Sequence, residues 1–212
     1  MIETKILENT EIAPNVYLLS IPRIIDFEPG QVIRLKVNGN QPRLYSIASG
    51  NNEEKLKILY DIRPEGKLTP LIKKLNTGDR VTISEAFGNF TDHGKPAYWI
   101  ANGTGIAPFY AMFKSGLGEK NILIHGGRDK NSFYFHAEFE AFFKNRYIRC
   151  CSRETAEGFY SGRLTSYLNE QKFLPHDQKY YLCGSAEMVV EARDILISKK
   201  IPFANIMAEI YF

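Results

Sequence analysis

Cysteine is scarce: the 212 residues hold three, Cys150, Cys151 and Cys183. Three thiols cannot build a disulfide framework, and two adjacent ones are poorly placed to bridge each other. No C-x-x-C pair occurs, which argues against structural zinc and against an iron–sulfur cluster. No metal site is expected, so any redox chemistry has to come from an organic cofactor. Long apolar runs are missing too, and none could span a bilayer. The opening segment MIETKILENTEIAP carries acids and no apolar stretch, unlike a secretory leader. A cytoplasmic protein with no membrane partner is expected. The charge excess is small, 27 basic against 24 acidic residues for a net of +3, too little to argue for nucleic acid. That excess lies in the second half: residues 1–92 carry twelve of each sign, residues 93–212 fifteen basic and twelve acidic.

Aromatic residues are plentiful, with twelve Tyr and fourteen Phe. Such a surplus supplies core and, at some sites, surfaces that stack on planar rings. The chain has two rhythms. In the first half, short β-rich runs span 16–21, 32–37, 44–48, 56–62 and 80–84, separated by the turn formers EPGQ, NGNQP, SGNN, RPEGK and NTGD. This reads as a small antiparallel barrel or a sandwich, with one helical piece at 68–75. In the second half, apolar runs at 97–101, 121–125, 147–151, 179–183 and 206–212 alternate with helical stretches at 107–114, 136–146, 163–171 and 186–199. That alternation predicts a parallel sheet covered on both faces. The join falls at TDHGKP, dividing the chain into domains 1–94 and 95–212. A join this short predicts a packed interface, a favoured place for a cofactor.

Several short motifs bear chemistry. Tyr98–Phe109 reads strand, then Gly103-Thr104-Gly105, then a helix with Pro108 in its first turn. Glycines admit a phosphate to the backbone and a helix N-terminus favours its charge, although a lone G-x-G also describes a plain βα turn. Ser152-Arg153-Glu154 follows the third strand of this half, and loops at the carboxyl ends of parallel strands line the binding crevice. Ser152 and Arg153 offer a hydroxyl and a planar guanidinium to a ribose phosphate, with Arg128 and Arg163 at neighbouring strand ends. Glu154 could instead take a 2′-hydroxyl, as NAD-specific sites do. In the β half, Arg43-Leu44-Tyr45-Ser46 places Arg43 and Tyr45 on one face of a strand. Gly66-Lys67-Leu68-Thr69 is a glycine turn opening a helix. At the carboxyl terminus, Glu209-Ile210-Tyr211-Phe212 ends on two aromatics, which predicts a terminus tied into the fold.

In order, spacing and position these motifs resemble the ferredoxin–NADP reductase family, particularly its bacterial ferredoxin/flavodoxin branch, over residues from about 30 to 212. The family's R-x-Y-S is similar to Arg43–Ser46, its flavin-pyrophosphate turn to Gly66–Thr69, its G-T-G-x-x-P to Gly103–Pro108, its S-R-E to Ser152–Glu154, its C-G to Cys183-Gly184, and its acidic–x–aromatic ending to Glu209–Tyr211. The resemblance implies an FAD-binding antiparallel β-barrel followed by an NADP-binding α/β domain. It implies that Arg43, Leu44, Tyr45, Ser46, Gly66, Lys67, Leu68, Thr69, Thr104, Tyr211 and Phe212 hold FAD. It also implies that Gly103, Thr104, Gly105, Arg128, Ser152, Arg153, Arg163 and Cys183 hold NADP(H).

By the same resemblance, Ser46, Cys183, Glu209 and Tyr211 surround the point of hydride transfer. Tyr211 stacks on the flavin and yields its place to nicotinamide. Cys183 is expected to act as a packed thiol, because the cofactor carries the hard chemistry. The implied partner is a separate ferredoxin or flavodoxin. A reductase component for an oxygenase, a reductase of free flavin or ferric iron, and a non-catalytic nucleotide-binding module are the alternatives.

Overall fold

Ile33 and Leu35 are fully buried on either side of the exposed Arg34, and the same period-two alternation recurs at Arg80–Ile83. The computed structural model describes every residue except Asn38, Pro64, Ala156 and Phe212. Seven strands occur among the described residues of this half: β1 (Ile2–Lys5), β2 (Glu8–Ala13), β3 (Val16–Pro22), β4 (Val32–Lys36), β5 (Arg43–Ser46), β6 (Lys55–Asp61) and β7 (Arg80–Ile83). They form two antiparallel sheets, β1-β7-β4-β5 and β2-β3-β6. Past β5 the chain crosses to the second sheet, where Ile47 bridges Ile58 and the Ala48 amide donates to Lys57. At the other end one continuous segment changes sheets, as the Ile6 amide donates to Asp79 and the Leu7 amide to Ser20. The result is an antiparallel barrel filled by Ile21, Ile33, Leu35, Ile47, Leu56 and Ile83. The helix expected at 68–75 shortens to α1 (Thr69–Ile72). The sequence reading missed β1 and β2. β2 is ENTEIA, with no residue buried and little β-branched character, and its partner β3 rather than its own pattern holds it in place.

The second half builds β8 (Ala97–Asn102), β9 (Ile122–Gly127), β10 (Tyr147–Cys151), the short β11 (Tyr160–Ser161), β12 (Lys179–Ser185) and β13 (Ile206–Tyr211). The helices are α2 (Ala107–Lys114), α3 (His136–Phe143), α4 (Leu164–Glu170) and α5 (Ala186–Ser198). All strand pairs are parallel, in the order β11-β10-β9-β8-β12-β13. The sense of winding reverses between β8 and β12. In an open α/β sheet this is where ligands bind, outside the carboxyl ends of the strands. One face packs Ile100, Ile124 and Leu182 against Leu164, Leu168, Val189 and Leu196. On the other face Trp99 meets Phe143 edge-on and Tyr147 lies against Phe139. By residue contacts the first unit comprises Met1–Asp92 with Ala107–Gly116, and the second His93–Ile106 with Leu117–Phe212.

A buried polar pair sits in this second face. His125 is fully buried, its Nδ1 lies 3.0 Å from the Tyr147 hydroxyl, and its Nε2 has no partner among the described residues. Burial, helped by His136, lowers its pKa from 6.5 to about 3. The imidazole therefore stays neutral in the fold while the unfolded chain takes up a proton below pH 6.5. Stability from this source is complete above pH 6.5 and falls as the pH drops toward 3. By pH 5 the loss is on the order of 2 kcal/mol. Urea unfolding followed by the single tryptophan, the buried Trp99, should show it. The double variant His125→Phe/Tyr147→Phe should narrow the stability gap between pH 7.5 and pH 5 by about that amount. An unchanged gap would remove His125 from the acid response.

Candidate nucleotide-binding and electron-transfer site

In the barrel, β5 is held to β4 through the pairs Arg43–Leu35, Leu44–Arg34, Tyr45–Ile33 and Ser46–Val32. Arg43 and Leu44 are exposed, Leu44 at 59%, Tyr45 is half-buried on the barrel core, and Ser46 is buried. Burial first, then the negative field of Asp61, pushes the Tyr45 phenol above its ordinary pKa, so it stays protonated. The Arg43 guanidinium has no carboxylate partner among the described residues. Farther along, the Gly66 amide donates to the Arg63 carbonyl and the Thr69 hydroxyl accepts from the Arg63 amide. The turn is thereby fixed, with Leu68 buried and Lys67 exposed at its surface.

In the α/β unit, the tightest feature lies at the reversal between β8 and β12. After Asn102 the chain turns through Gly103–Ile106, a short 3-10 helix leading into α2. A Cβ on Gly105 would fall 2.3 Å from the Cys183 carbonyl oxygen, and one on Gly184 1.9 Å from Asn102 Oδ1. Gly103 differs: it has φ +55°, yet a Cβ there would meet open space. Asn102 clamps the two strand ends, its Oδ1 accepting from the Ser185 amide at 2.9 Å and its Nδ2 donating to Ser185 Oγ at 3.1 Å. Ser185 Oγ also accepts from the Met188 amide, capping α5. The sequence reading missed Asn102. The signal was present in its position, directly before the Gly-Thr-Gly turn at a strand end.

Register places Cys183 beside Glu209 and Ser185 beside Tyr211. Cys183 is fully buried, and burial together with the Glu209 carboxylate pushes its thiol far above the usual range, against a hydrogen bond from Tyr211. A thiol so held is neither nucleophile nor base at neutral pH. Cys183, Glu209 and Tyr211 thus come together on adjacent strands. Phe212 lies outside the described residues.

At the far side of the sheet, the loops after β9 and β10 run together. The Ser152 amide donates to Gly127 and the Arg153 amide to Arg128. The Arg128 and Arg153 side chains are exposed and have no partner among the described residues. Glu154 is engaged, its Oε2 accepting from the Lys130 amide at 3.2 Å. Asp129 is engaged as well, its Oδ1 accepting from the Asn131 amide and the Ser132 hydroxyl. Arg163 stands apart in this respect, paired with Glu187 at 2.9 Å. That exposed pair is worth at most about 1 kcal/mol, so Arg163 is not locked away from a ligand.

Residues 3–91 match the oxidoreductase FAD-binding domain and residues 99–194 the oxidoreductase NAD-binding domain. A probable dihydroorotate dehydrogenase B (NAD(+)) electron transfer subunit of Pyrococcus furiosus is 30% identical over 89% of this chain and 72% of its own length. A ferredoxin–NADP reductase of Azotobacter vinelandii is 31% identical over 80% of this chain and 78% of its own. Among solved structures, a ferredoxin–NADP+ reductase from Neisseria gonorrhoeae with bound FAD and NADP superposes with a TM-score of 0.90 at 22% identity, covering 99% of this chain and 98% of that one.

The glycines at the reversal differ in what they tolerate. Gly103→Ala should cost about 1 kcal/mol, the strain of a left-handed backbone. Gly105→Ala and Gly184→Ala each push a methyl into backbone or a clamped amide and should cost about 3 kcal/mol. Thermal unfolding and dinucleotide titration of the three variants would measure this. Equal, small effects at all three positions would mean that the strand ends do not need this close approach.

Proposed function

Because this chain belongs to the ferredoxin–NADP reductase family of FAD- and nicotinamide-dinucleotide-binding oxidoreductases, we propose that it passes electrons between NADP(H) and a separate one-electron protein carrier of the ferredoxin or flavodoxin type. Residues 1–94 hold FAD in this reading and residues 95–212 hold the dinucleotide. The observation that carries the choice of NADP(H) is the contrast at the β9 and β10 loops. Arg128 and Arg153 have no side-chain partner among the described residues and are open to a 2′-phosphate, while Glu154 and Asp129 each already accept from a backbone amide. An NAD-type site would need one of those carboxylates for the ribose 2′-hydroxyl.

FAD, when bound, supplies the exchange between two-electron and one-electron chemistry. The residues present suit it: Arg43 is an exposed cation without a carboxylate partner among the described residues, and Tyr45 offers a neutral ring beside it. Arg43 and the Gly66–Thr69 turn, with Lys67 at its surface, hold the pyrophosphate, Tyr45 shapes the ring site with Leu44 exposed on the opposite face of the strand, and Ser46 supplies a hydroxyl. Gly103, Thr104 and Gly105 admit the dinucleotide phosphates to the backbone, and Ser152 and Arg163 add to the 2′-phosphate site. Cys183 provides a small neutral wall, Glu209 sets local polarity, and Tyr211 occupies the nicotinamide position until substrate enters. None of these groups acts covalently; their contribution is positioning and exclusion of water.

Similarity to an electron transfer subunit favours one other reading of the same chemistry, in which the acceptor is a partner enzyme, such as an oxygenase, rather than a diffusing carrier. The exposed Leu44, beside Arg43 and paired across the ladder with Arg34, supports an acidic protein acceptor, an apolar contact rimmed by guanidinium groups.

Anaerobic titration of the purified protein should bleach its flavin bands with NADPH at far lower concentration than with NADH. Arg153→Ala should raise the NADPH requirement at least about tenfold, the loss of one charge-assisted pair, and leave NADH nearly unchanged. Equal losses with both would refute the 2′-phosphate assignment. Leu44→Glu should raise KM for reduced ferredoxin or flavodoxin several-fold and spare NADPH–ferricyanide turnover, and turnover with the protein carrier should fall as salt rises. Indifference to both changes would favour a small-molecule acceptor such as free flavin or ferric iron.

A further inference from the structure

The parallel sheet has a second end, far from the nucleotide crevice. β8, β9, β10, β12 and β13 all begin within a residue or two of one level, as the pairs Ala97–Lys179, Tyr98–Ile122, Leu123–Tyr147 and Tyr180–Ile206 require. The segments feeding them are 93–96, 117–121, 144–146, 171–178 and 199–205. Together these hold Lys95, Lys120, Lys144, Arg146, Lys172, Lys199 and Lys200 against only Glu119 and Asp177. This edge therefore carries a net +5, while the rest of the chain, with twenty basic and twenty-two acidic residues, carries −2. Lys95, Lys120, Lys144, Lys172 and Lys200 are exposed and have no carboxylate partner among the described residues. A charge excess confined to five loops at one end of a sheet is a field with a direction.

Two phenylalanines stand out from the same edge. Phe173 is 76% exposed and Phe203 72%, more than any other large apolar side chain described. Neither is on a loose loop. Leu174 and Ile201, close by in sequence, are buried. Asn205 Nδ2 donates to the His176 carbonyl at 2.7 Å, Lys199 Nζ to Asn169 and Gln171, and Lys179 Nζ to Ala204. The two loops are tied to each other, so both rings are held outward at the cost of leaving apolar surface in water.

We propose that the amino-terminal edge of this sheet is a docking surface for an anionic membrane leaflet, with Phe173 and Phe203 entering the headgroup–acyl boundary and the surrounding lysines meeting acidic headgroups. Cations spread over five loops suit an extended charged surface, and unpartnered Phe rings suit its apolar layer. Nucleic acid would use the lysines but gives two protruding Phe side chains no apolar phase. No helix among the described residues is long and apolar enough to cross a membrane; the proposal concerns surface attachment alone, and in that it departs from the sequence expectation of no membrane partner. The site sits a strand's length from the carboxyl-end crevice, so docking leaves the crevice of this unit accessible.

The test is cosedimentation of the flavin-loaded full chain with vesicles of phosphatidylcholine alone and of phosphatidylcholine with 30% phosphatidylserine. Binding is expected to the anionic vesicles only and to decline steeply between low and about 0.5 M salt. Phe173→Ala/Phe203→Ala should lower vesicle partitioning about tenfold or more, and Lys172→Glu/Lys200→Glu by a similar factor. Both variants should keep the thermal midpoint and NADPH–ferricyanide turnover, which separates this result from failure of the reductase reading. Three outcomes would overturn the proposal: no anionic-vesicle binding, binding that the Phe pair does not affect, or a DNA duplex or acidic carrier protein captured at this edge more tightly than the vesicles.

Discussion

The α/β unit depends on one close approach of backbone to backbone. Where β8 and β12 part, Gly105 lies against the Cys183 carbonyl and Gly184 against the Asn102 side chain, with no room for a Cβ at either. The approach lets Asn102 bond to both the amide and the hydroxyl of Ser185. The same hydroxyl caps α5, so one side chain fixes the turn after β8, the end of β12 and the start of a helix. Such economy has a cost in conformational freedom that only glycine can meet. It brings backbone to backbone at the carboxyl ends of β8 and β12, the place where open α/β sheets bind their ligands.

Around that crevice the chain offers polarity without reactivity. Cys183 is buried beside Glu209 with its thiol held protonated, and the other cysteines are buried too, Cys150 with its pKa pushed up to about 12 by burial. In this family of FAD- and dinucleotide-binding oxidoreductases the chemistry is delegated to the organic groups. The Arg128 and Arg153 side chains at one set of strand ends have no partner among the described residues, while Glu154 and Asp129 each accept from a backbone amide. The fold thus fixes the carboxylates of these loops more firmly than their guanidinium groups.

Much of this was legible in the sequence, and the exceptions have physical reasons. The central parallel strands read cleanly because they are largely buried and apolar, and β8, with Trp99, Ile100 and Ala101 all buried, is the clearest case, whereas the two-residue edge strand β11 left no pattern to read. The motifs read well because backbone constraints force glycine at fixed spacings. β1 and β2 did not read, since an edge segment such as ENTEIA takes its conformation from a neighbour rather than from its own pattern. Helix α1 came out shorter than its apolar spacing implied, because Leu68 caps it without a side-chain bond and only Ile72 is buried within it. Asn102 was invisible for another reason: a side chain that clamps two distant strand ends leaves no periodic trace. The occupied state of Glu154 is likewise a tertiary fact, since sequence shows a carboxylate but not what it accepts.

The two ends of the sheet obey different rules, and the difference follows from how parallel strands are built. At the carboxyl ends, chain must turn sharply into helices, so small residues collect there and leave a concave, backbone-lined surface. At the amino ends, helices finish and strands begin, and the negative pole of each helix invites cations. Lys199 meets that pull directly, its Nζ accepting no role beyond donating to the last carbonyls around α4. Helix ends alone do not account for the rest. Lys95 precedes β8 with no helix before it in the same unit, and Lys172 and Lys200 project into solvent rather than toward carbonyls. Nor does helix termination explain two phenylalanines held outward on loops braced by Asn205 and Lys179. Charge in excess of what the helix ends draw, placed on the same edge as two outward-held phenylalanines, is what the proposed anionic surface would meet.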